Sequence, residues 1–283
     1  MNSNEEALFD SAEHLPPLPK SIQNLQNYLN AKGSDIDINE ISLILGADPL
    51  ITANLLHLAN SPFYGFKSEI KTLNQAIILL GINNVKTMIM ADYTRNGFKI
   101  DVRAYGINTD EFLKLCDEQL HFITTWLLDE DRKLCHNLIP IVMLLRFGML
   151  VFSNYFIQNN LDKRFLLELK KNDFNNVLEL EDKFLGVNHL SFLIDLFKHW
   201  EFDKSFIEII SHLKNPDAIS QELKKECYAL AVVECIFSPN IRNDNEVIAN
   251  KAYSLIKRAK TQGVDFNIEN FLSNLPESLK EYV

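Results

Sequence analysis

The sequence predicts an all-α protein. Apolar residues recur at three- and four-residue spacing along nearly the whole chain, the period of helices that bury one face. The 283 residues include only 9 Gly and 9 Pro, few for a β protein with its many turns. Those few turn residues stand where helices should start and stop. Hydrophobic residues make up 47% and charged residues 23%, a globular balance that supports one large core or two smaller ones.

Residues 1–14 are polar, with Glu5, Glu6, Asp10 and Glu13 and no basic segment ahead of an apolar one. They predict a flexible acidic arm and no secretion signal. Leu15–Pro19 should be extended, with its prolines fixing the path. Ile22, Leu25 and Leu29 predict a first helix, broken at Gly33-Ser34-Asp35. Asp37 and Glu40 ahead of Ile41, Ile44 and Leu45 predict a second. Asp48 caps a third, Pro49 fits its first turn, and Ile51, Leu55 and Leu58 line its face. Asn60-Ser61-Pro62 ends it, with Asn60 and Ser61 taking up unpaired backbone groups. Thr72-Leu73-Asn74-Gln75 has the form of a capping box, Leu73, Ala76, Ile77 and Leu80 make a stripe, and Gly81 closes it. Asn83 or Asn84 then starts a helix carrying Val85, Met88 and Ile89.

Residues 94–109, punctuated by Gly97 and Gly106, predict a joint between subdomains, giving an arm at 1–14 and subdomains at 15–104 and 105–283. Phe112, Leu115, Leu120, Ile123 and Leu127 resume the helical pattern. His136–Phe152 is the most apolar run and predicts one central buried helix. It is shorter than a roughly 20-residue membrane span and contains Arg146. Leu223 to Ile236 predicts a helix ended at Ser238-Pro239, Ile248 to Ile256 another with basic residues at its end, and Phe266 to Leu275 a last short one.

Net charge is −10, from 28 Lys and Arg against 38 Asp and Glu, which disfavours a broad nucleic-acid face. The one pair of helices joined by a glycine that suggests DNA reading offers a single lysine in its second member, VKTMIMADY. Four cysteines at 116, 135, 227 and 235, without Cys-x-x-Cys spacing, predict a reduced, cytoplasmic protein. No Gly-rich phosphate loop or Gly-x-Ser-x-Gly occurs, and no cofactor is implied.

The order of these signals resembles the HDOD family, the HD-related output domain of bacterial signalling proteins. The resemblance rests on Leu15-Pro16-Pro17-Leu18-Pro19, Asp48-Pro49, Leu56 to Asn60-Ser61, Gln75-Ala76 and Leu80-Gly81. It resumes at Leu185-Gly186-Val187-Asn188-His189, at Leu193, Leu196 and Trp200, and at Ile210-Ser211-His212. It implies a multi-helical bundle in which an N-terminal short-helix subdomain packs on an HD-like bundle. HD-type phosphohydrolases hold a divalent metal with a His-Asp pair on the central helix. Matched from the shared Gly148, those positions are Leu145 and Arg146, and the family's upstream His-Ser is matched by Leu115-Cys116. The resemblance therefore implies a degenerate metal site, with no catalytic and no metal-binding residue. The implied role is a non-enzymatic regulatory module whose partners are other signalling proteins. The alternative is a residual phosphohydrolase or nucleotide-binding domain.

Arg146, His189 and His212 are the candidate pocket residues. For His189 two readings stand: a remnant of a ligand pocket, or a hydrogen-bonded core histidine. Asp195 and His199, four apart, predict a surface pair. Arg146, in an apolar run, predicts a buried guanidinium paired with Asp117, Glu118 or neutral His189. Otherwise it reaches water or holds a phosphate or carboxylate ligand.

Overall fold

Every regular element among the described residues is helical. The computed structural model describes Leu8 and residues 20–33, 35–97, 100–200, 202–238 and 244–283, with backbone alone at 93–97. The expected acidic arm and proline segment lie outside these residues, except Leu8, which is helical and fully buried. Chain contacts group into a smaller unit, residues 13–99, and a larger one, residues 100–283 together with Leu8.

In the smaller unit, α1 (Lys20–Lys32), α2 (Ile38–Gly46), α3 (Pro49–Ala59), α4 (Leu73–Leu80) and α5 (Ile82–Gly97) pack around Ile22, Leu25, Ile41, Leu45, Leu55 and Ala76. α4 touches α2, α3 and α5. Asp48 caps α3 by accepting from the amides of Leu50 and Ile51, at 3.0 and 3.2 Å. Past the end of α3 the Asn60 side chain acts as a clip. Its amide donates to the carbonyls of Leu56 and Ile70 at 2.8 Å each, and its oxygen accepts from the Ile70 amide at 2.7 Å. Ser61 does not share that work, since its buried hydroxyl has no partner among the described residues. Thr72 is the N-cap of α4, as expected, and only the reciprocal bond of the box is displaced by one residue. Thr72 accepts from the Gln75 amide, but Gln75 reaches back to the Lys71 amide. Gly81 alone joins α4 to α5, at φ +82° and ψ 152°, a region essentially closed to residues with a Cβ. Helix α5 begins at once, without an asparagine cap, and its last residue is Gly97, while the boundary between the two units falls at 99/100, inside the expected joint.

The larger unit runs through α6 (Thr109–Leu127), α7 (Arg132–Leu144), α8 (Phe147–Gln158), α9 (Asp162–Lys171), α10 (Val177–Leu185), α11 (His189–His199) and α12 (Lys204–Ser211). It closes with α13 (Lys224–Ile236), α14 (Asn245–Thr261), α15 (Ile268–Asn274) and α16 (Glu277–Lys280). The single central helix expected over His136–Phe152 is two. α7 ends at Leu144 and α8 starts at Phe147, with Leu145 and Arg146 forming the break. α7 and α8 share the centre with α13, which packs on α6, α7, α12 and α14 and is buried at every position from Cys227 to Val233. The run Arg132–Gln158 is long and apolar enough to cross a membrane by composition, but 83% of its most apolar window is buried in this fold.

Candidate functional site

Arg146 sits in the break between α7 and α8, 1% exposed. Its Nη1 lies 2.7 Å from Glu234 Oε2 of α13, and its Nε donates to Gln119 Oε1 of α6 at 3.1 Å. Gln119, fully buried, donates its amide to the Val142 carbonyl at 2.8 Å, near the end of α7. One guanidinium thus ties three helices at the point where a fourth begins. The contact with Glu234 is close but off the hydrogen-bond direction, so it acts as an ion pair. Arg146 Nη2 and Glu234 Oε1 have no hydrogen-bond partner among the described residues.

These partners correct the sequence reading. Asp117 and Glu118 are exposed and Glu118 pairs with Lys114 at 3.6 Å, while His189 is engaged elsewhere. A helix turns about 100° per residue, so Gln119 points inward where its two acidic neighbours point out. Sequence reasoning missed Glu234, whose signal was a lone carboxylate in the apolar run Ala229–Ile236. Arg146 does not reach water.

His189 opens α11, fully buried. Its backbone amide donates to Glu181 Oε2 at 2.9 Å, and its Nδ1, protonated to suit the carboxylate, lies 2.8 Å from the same oxygen. Glu181, also fully buried, accepts the Tyr105 hydroxyl at 2.5 Å. Burial, and then the adjacent carboxylate, push the Tyr105 phenol well above its ordinary pKa, so it stays a donor. The His189 ring meets Phe152 edge-on at 6.4 Å, and its Nε2 has no partner among the described residues. Sequence reasoning missed Tyr105 and Glu181. The signal was Val177, Glu181 and Leu185 at four-residue spacing, a carboxylate inside a buried stripe.

Arg146 and His189 do not touch, but Gly148 links their surroundings. A Cβ on Gly148 would stand 2.5 Å from the His189 carbonyl oxygen, so α8 and α11 meet backbone to backbone there. His212 is separate. It is half-buried beyond the end of α12, its Nδ1 2.8 Å from the carbonyl of Glu208 in its own helix. Asp195 pairs with Lys198 at 2.8 Å on the exposed face of α11.

Among the described residues every regular element is helical, in two compact units, an HD-like all-α fold. Residues 15–216 match the HDOD domain. The chain belongs to the HDOD family. It is 46% identical to a virulence factor of Campylobacter jejuni subsp. jejuni, over 99% of this chain and 97% of that one, with a TM-score of 0.67. It shares its fold with a Shewanella amazonensis SB2B protein named Putative phosphohydrolase, at 20% identity, 95% and 93% coverage and a TM-score of 0.61. It shares it also with an HDOD domain protein of unknown function from Geobacter sulfurreducens, at 19% identity, 98% and 96% coverage and a TM-score of 0.57. No curated protein matches the chain.

Proposed function

We propose that the protein is a non-enzymatic regulatory module, acting in the cytoplasm through contacts with other signalling proteins, in which a charge pair has replaced an HD-type metal centre. The observation that carries this reading is Arg146, buried and 2.7 Å from Glu234. A divalent cation needs several oxygen or imidazole donors, and here the candidate set is one carboxylate, one amide oxygen and a guanidinium that repels metal. The imidazole matched to the family's Leu-Gly-x-x-His has its Nδ1 engaged by Glu181. Among the described residues no three His, Cys, Asp or Glu side chains converge on one point. The residues present do not fit the metal.

The alternative, a retained phosphate or nucleotide site, has one observation in its favour: the bare Nη2 of Arg146. A phosphate on that nitrogen would also face the Glu234 carboxylate, and the like charges oppose it. Elemental analysis of the purified chain, with bis(p-nitrophenyl) phosphate hydrolysis in added Mn²⁺ and a nucleotide-binding screen, tests the reading. The expected result is no stoichiometric transition metal, no hydrolysis and no nucleotide bound. A stoichiometric metal or metal-dependent turnover overturns it.

A further inference from the structure

We propose that the outer face of α2 and α4, in the smaller unit, docks an apolar helix edged with lysine or arginine on a partner protein. The inference rests on the reading of the chain as a contact module and names the surface that would make the contact.

Five of the nine large hydrophobic side chains exposed among the described residues lie between positions 36 and 79, so apolar exposure is concentrated on the shorter unit. Leu43 of α2 is 75% exposed, and Ile78 and Leu79 of α4 are 65% and 51% exposed. These are not core residues at the floor of a cleft. Ile41 and Leu45 hold the buried side of α2, and Leu43 stands on the opposite one. Leu73, Ala76, Ile77 and Leu80 hold the buried side of α4, which leaves Ile78 and Leu79 outside. The two helices present these side chains together. Asn74 of α4 donates to Asn39 of α2 at 2.7 Å, and a Cβ on Gly46 would meet Leu73 Cδ1 at 3.6 Å. Both ends of α2 therefore reach the start of α4. Leu43, midway between Asn39 and Gly46, lies beside that crossing, and Ile78 lies one turn along α4 from Asn74. Ile36 and Leu50, also exposed, extend the apolar surface just before and just after α2.

Charge and area select the occupant. From residue 33 to residue 66 the sequence holds Asp35, Asp37, Glu40 and Asp48 and no lysine or arginine. Glu40 is exposed on α2 near Leu43, while Asp37 and Asp48 accept amides of the helices they cap and keep their charge. The neighbouring cations are Lys32 at the end of α1, and Lys67 and Lys71 on either side of Glu69 ahead of α4. With Glu69 counted, carboxylates outnumber ammonium groups five to three between residues 32 and 82, and residues 13–19 of the unit add Glu13 and no lysine or arginine. This surplus repels anionic lipid and nucleic-acid phosphates. A second copy would bring like charge, and Leu43, Ile78 and Leu79 supply roughly 250 Å² of apolar area against about 800 Å² per partner in a stable dimer. The complement is one helix with apolar side chains at i, i+3, i+4 and i+7 and basic residues at its edges.

The test uses the full chain and two fluorescein-labelled 15-residue peptides. Both carry leucine at i, i+3, i+4 and i+7, one with lysine and the other with glutamate elsewhere. Fluorescence anisotropy is measured with wild type, Leu43→Gln/Ile78→Gln, Glu40→Lys and, as control, Leu167→Gln, which removes an exposed leucine from the larger unit. Circular dichroism checks that each variant is folded. The lysine peptide is expected to bind saturably and the glutamate peptide about tenfold more weakly. Leu43→Gln/Ile78→Gln should weaken the lysine peptide about tenfold, Glu40→Lys about threefold, and Leu167→Gln not at all. The proposal is overturned if the lysine peptide fails to bind up to about 100 µM. It is overturned equally if both peptides bind alike, if the folded double variant binds as wild type does, or if Leu167→Gln weakens binding as much. Sedimentation showing a wild-type dimer that Leu43→Gln/Ile78→Gln converts to monomer would give the face to a second copy and overturn the partner assigned here. A stoichiometric metal would overturn the regulatory reading and leave these measurements standing. Failed peptide binding by a metal-free, inactive chain overturns the docking face alone.

Discussion

Replacing Gly148 with alanine adds one methyl group near the start of α8, where helix propensity alone favours alanine by up to about 1 kcal/mol. The structure reverses that sign. The new Cβ would stand 2.5 Å from the His189 carbonyl oxygen and 3.1 Å from its Cβ. Ordinary contact begins near 3.4 Å, so one backbone must recede by roughly 1 Å. A carbonyl cannot rotate away as a long side chain can. His189 is also held at its amide and its ring by Glu181, so a shift loosens a fully buried polar cluster. Overpacking typically costs 1–3 kcal/mol, and the rigidity of this contact puts Gly148→Ala near the top, at about 3 kcal/mol. Urea unfolding followed by circular dichroism reads this as a lower midpoint at unchanged slope. Gly46→Ala is the control. It too lies in a helix, but its Cβ would meet only Leu73 Cδ1, at an ordinary 3.6 Å, so it should be neutral or slightly stabilising. If Gly148→Ala were as stable as wild type, the close approach of α8 to α11 would be refuted, and with it the placement of His189.

Arg146→Met should destabilise by about 3–5 kcal/mol, because it strands the Glu234 carboxylate. Arg146→Met/Glu234→Met should recover most of that loss, and a denaturant series on both variants checks it. Asn60→Ala removes three hydrogen bonds and should cost about 1–3 kcal/mol, read as a lower midpoint for the smaller unit. The Asp217 carboxyl is held below its ordinary pKa by the Arg258 hydrogen bond first and the Tyr228 hydroxyl second. A depressed carboxyl stabilises the fold above its unfolded pKa, near 4, and loses that effect as pH falls through the lower folded value. Asp217→Asn should therefore flatten the acid limb of thermal stability below about pH 4, and an unchanged limb would exclude Asp217 as a contributor.

Element type was legible because periodicity and caps are local. Asp48, Leu73, Ala76 and Gly81 show their roles within a few residues of themselves. The break at Leu145-Arg146 was not legible. His136–Phe152 reads as one helix by composition, and the side chains that meet Arg146 in the break, Gln119 and Glu234, lie 27 and 88 positions away. The burial of Arg146 followed from its neighbours, but its partners required knowing which faces of α6 and α13 turn toward it. Glu181 and Tyr105 were missed for the same reason, since their meeting with His189 joins α10, α11 and the turn before α6. Ser61 shows the reverse error, a good capping residue whose hydroxyl found no partner among the described residues.

The buried arginine has a consequence for the chain before it folds. Arg132–Gln158 is a 27-residue stretch apolar enough to be mistaken for a membrane anchor as it leaves the ribosome. Arg146 falls at its midpoint, where a charged residue disfavours insertion into the bilayer by about 2.5–3.5 kcal/mol. That penalty is greatest at the centre of a span and falls toward its ends. The side chain that later pins α6, α7 and α13 together thus also weighs against bilayer insertion of this run, before Glu234 has been synthesised.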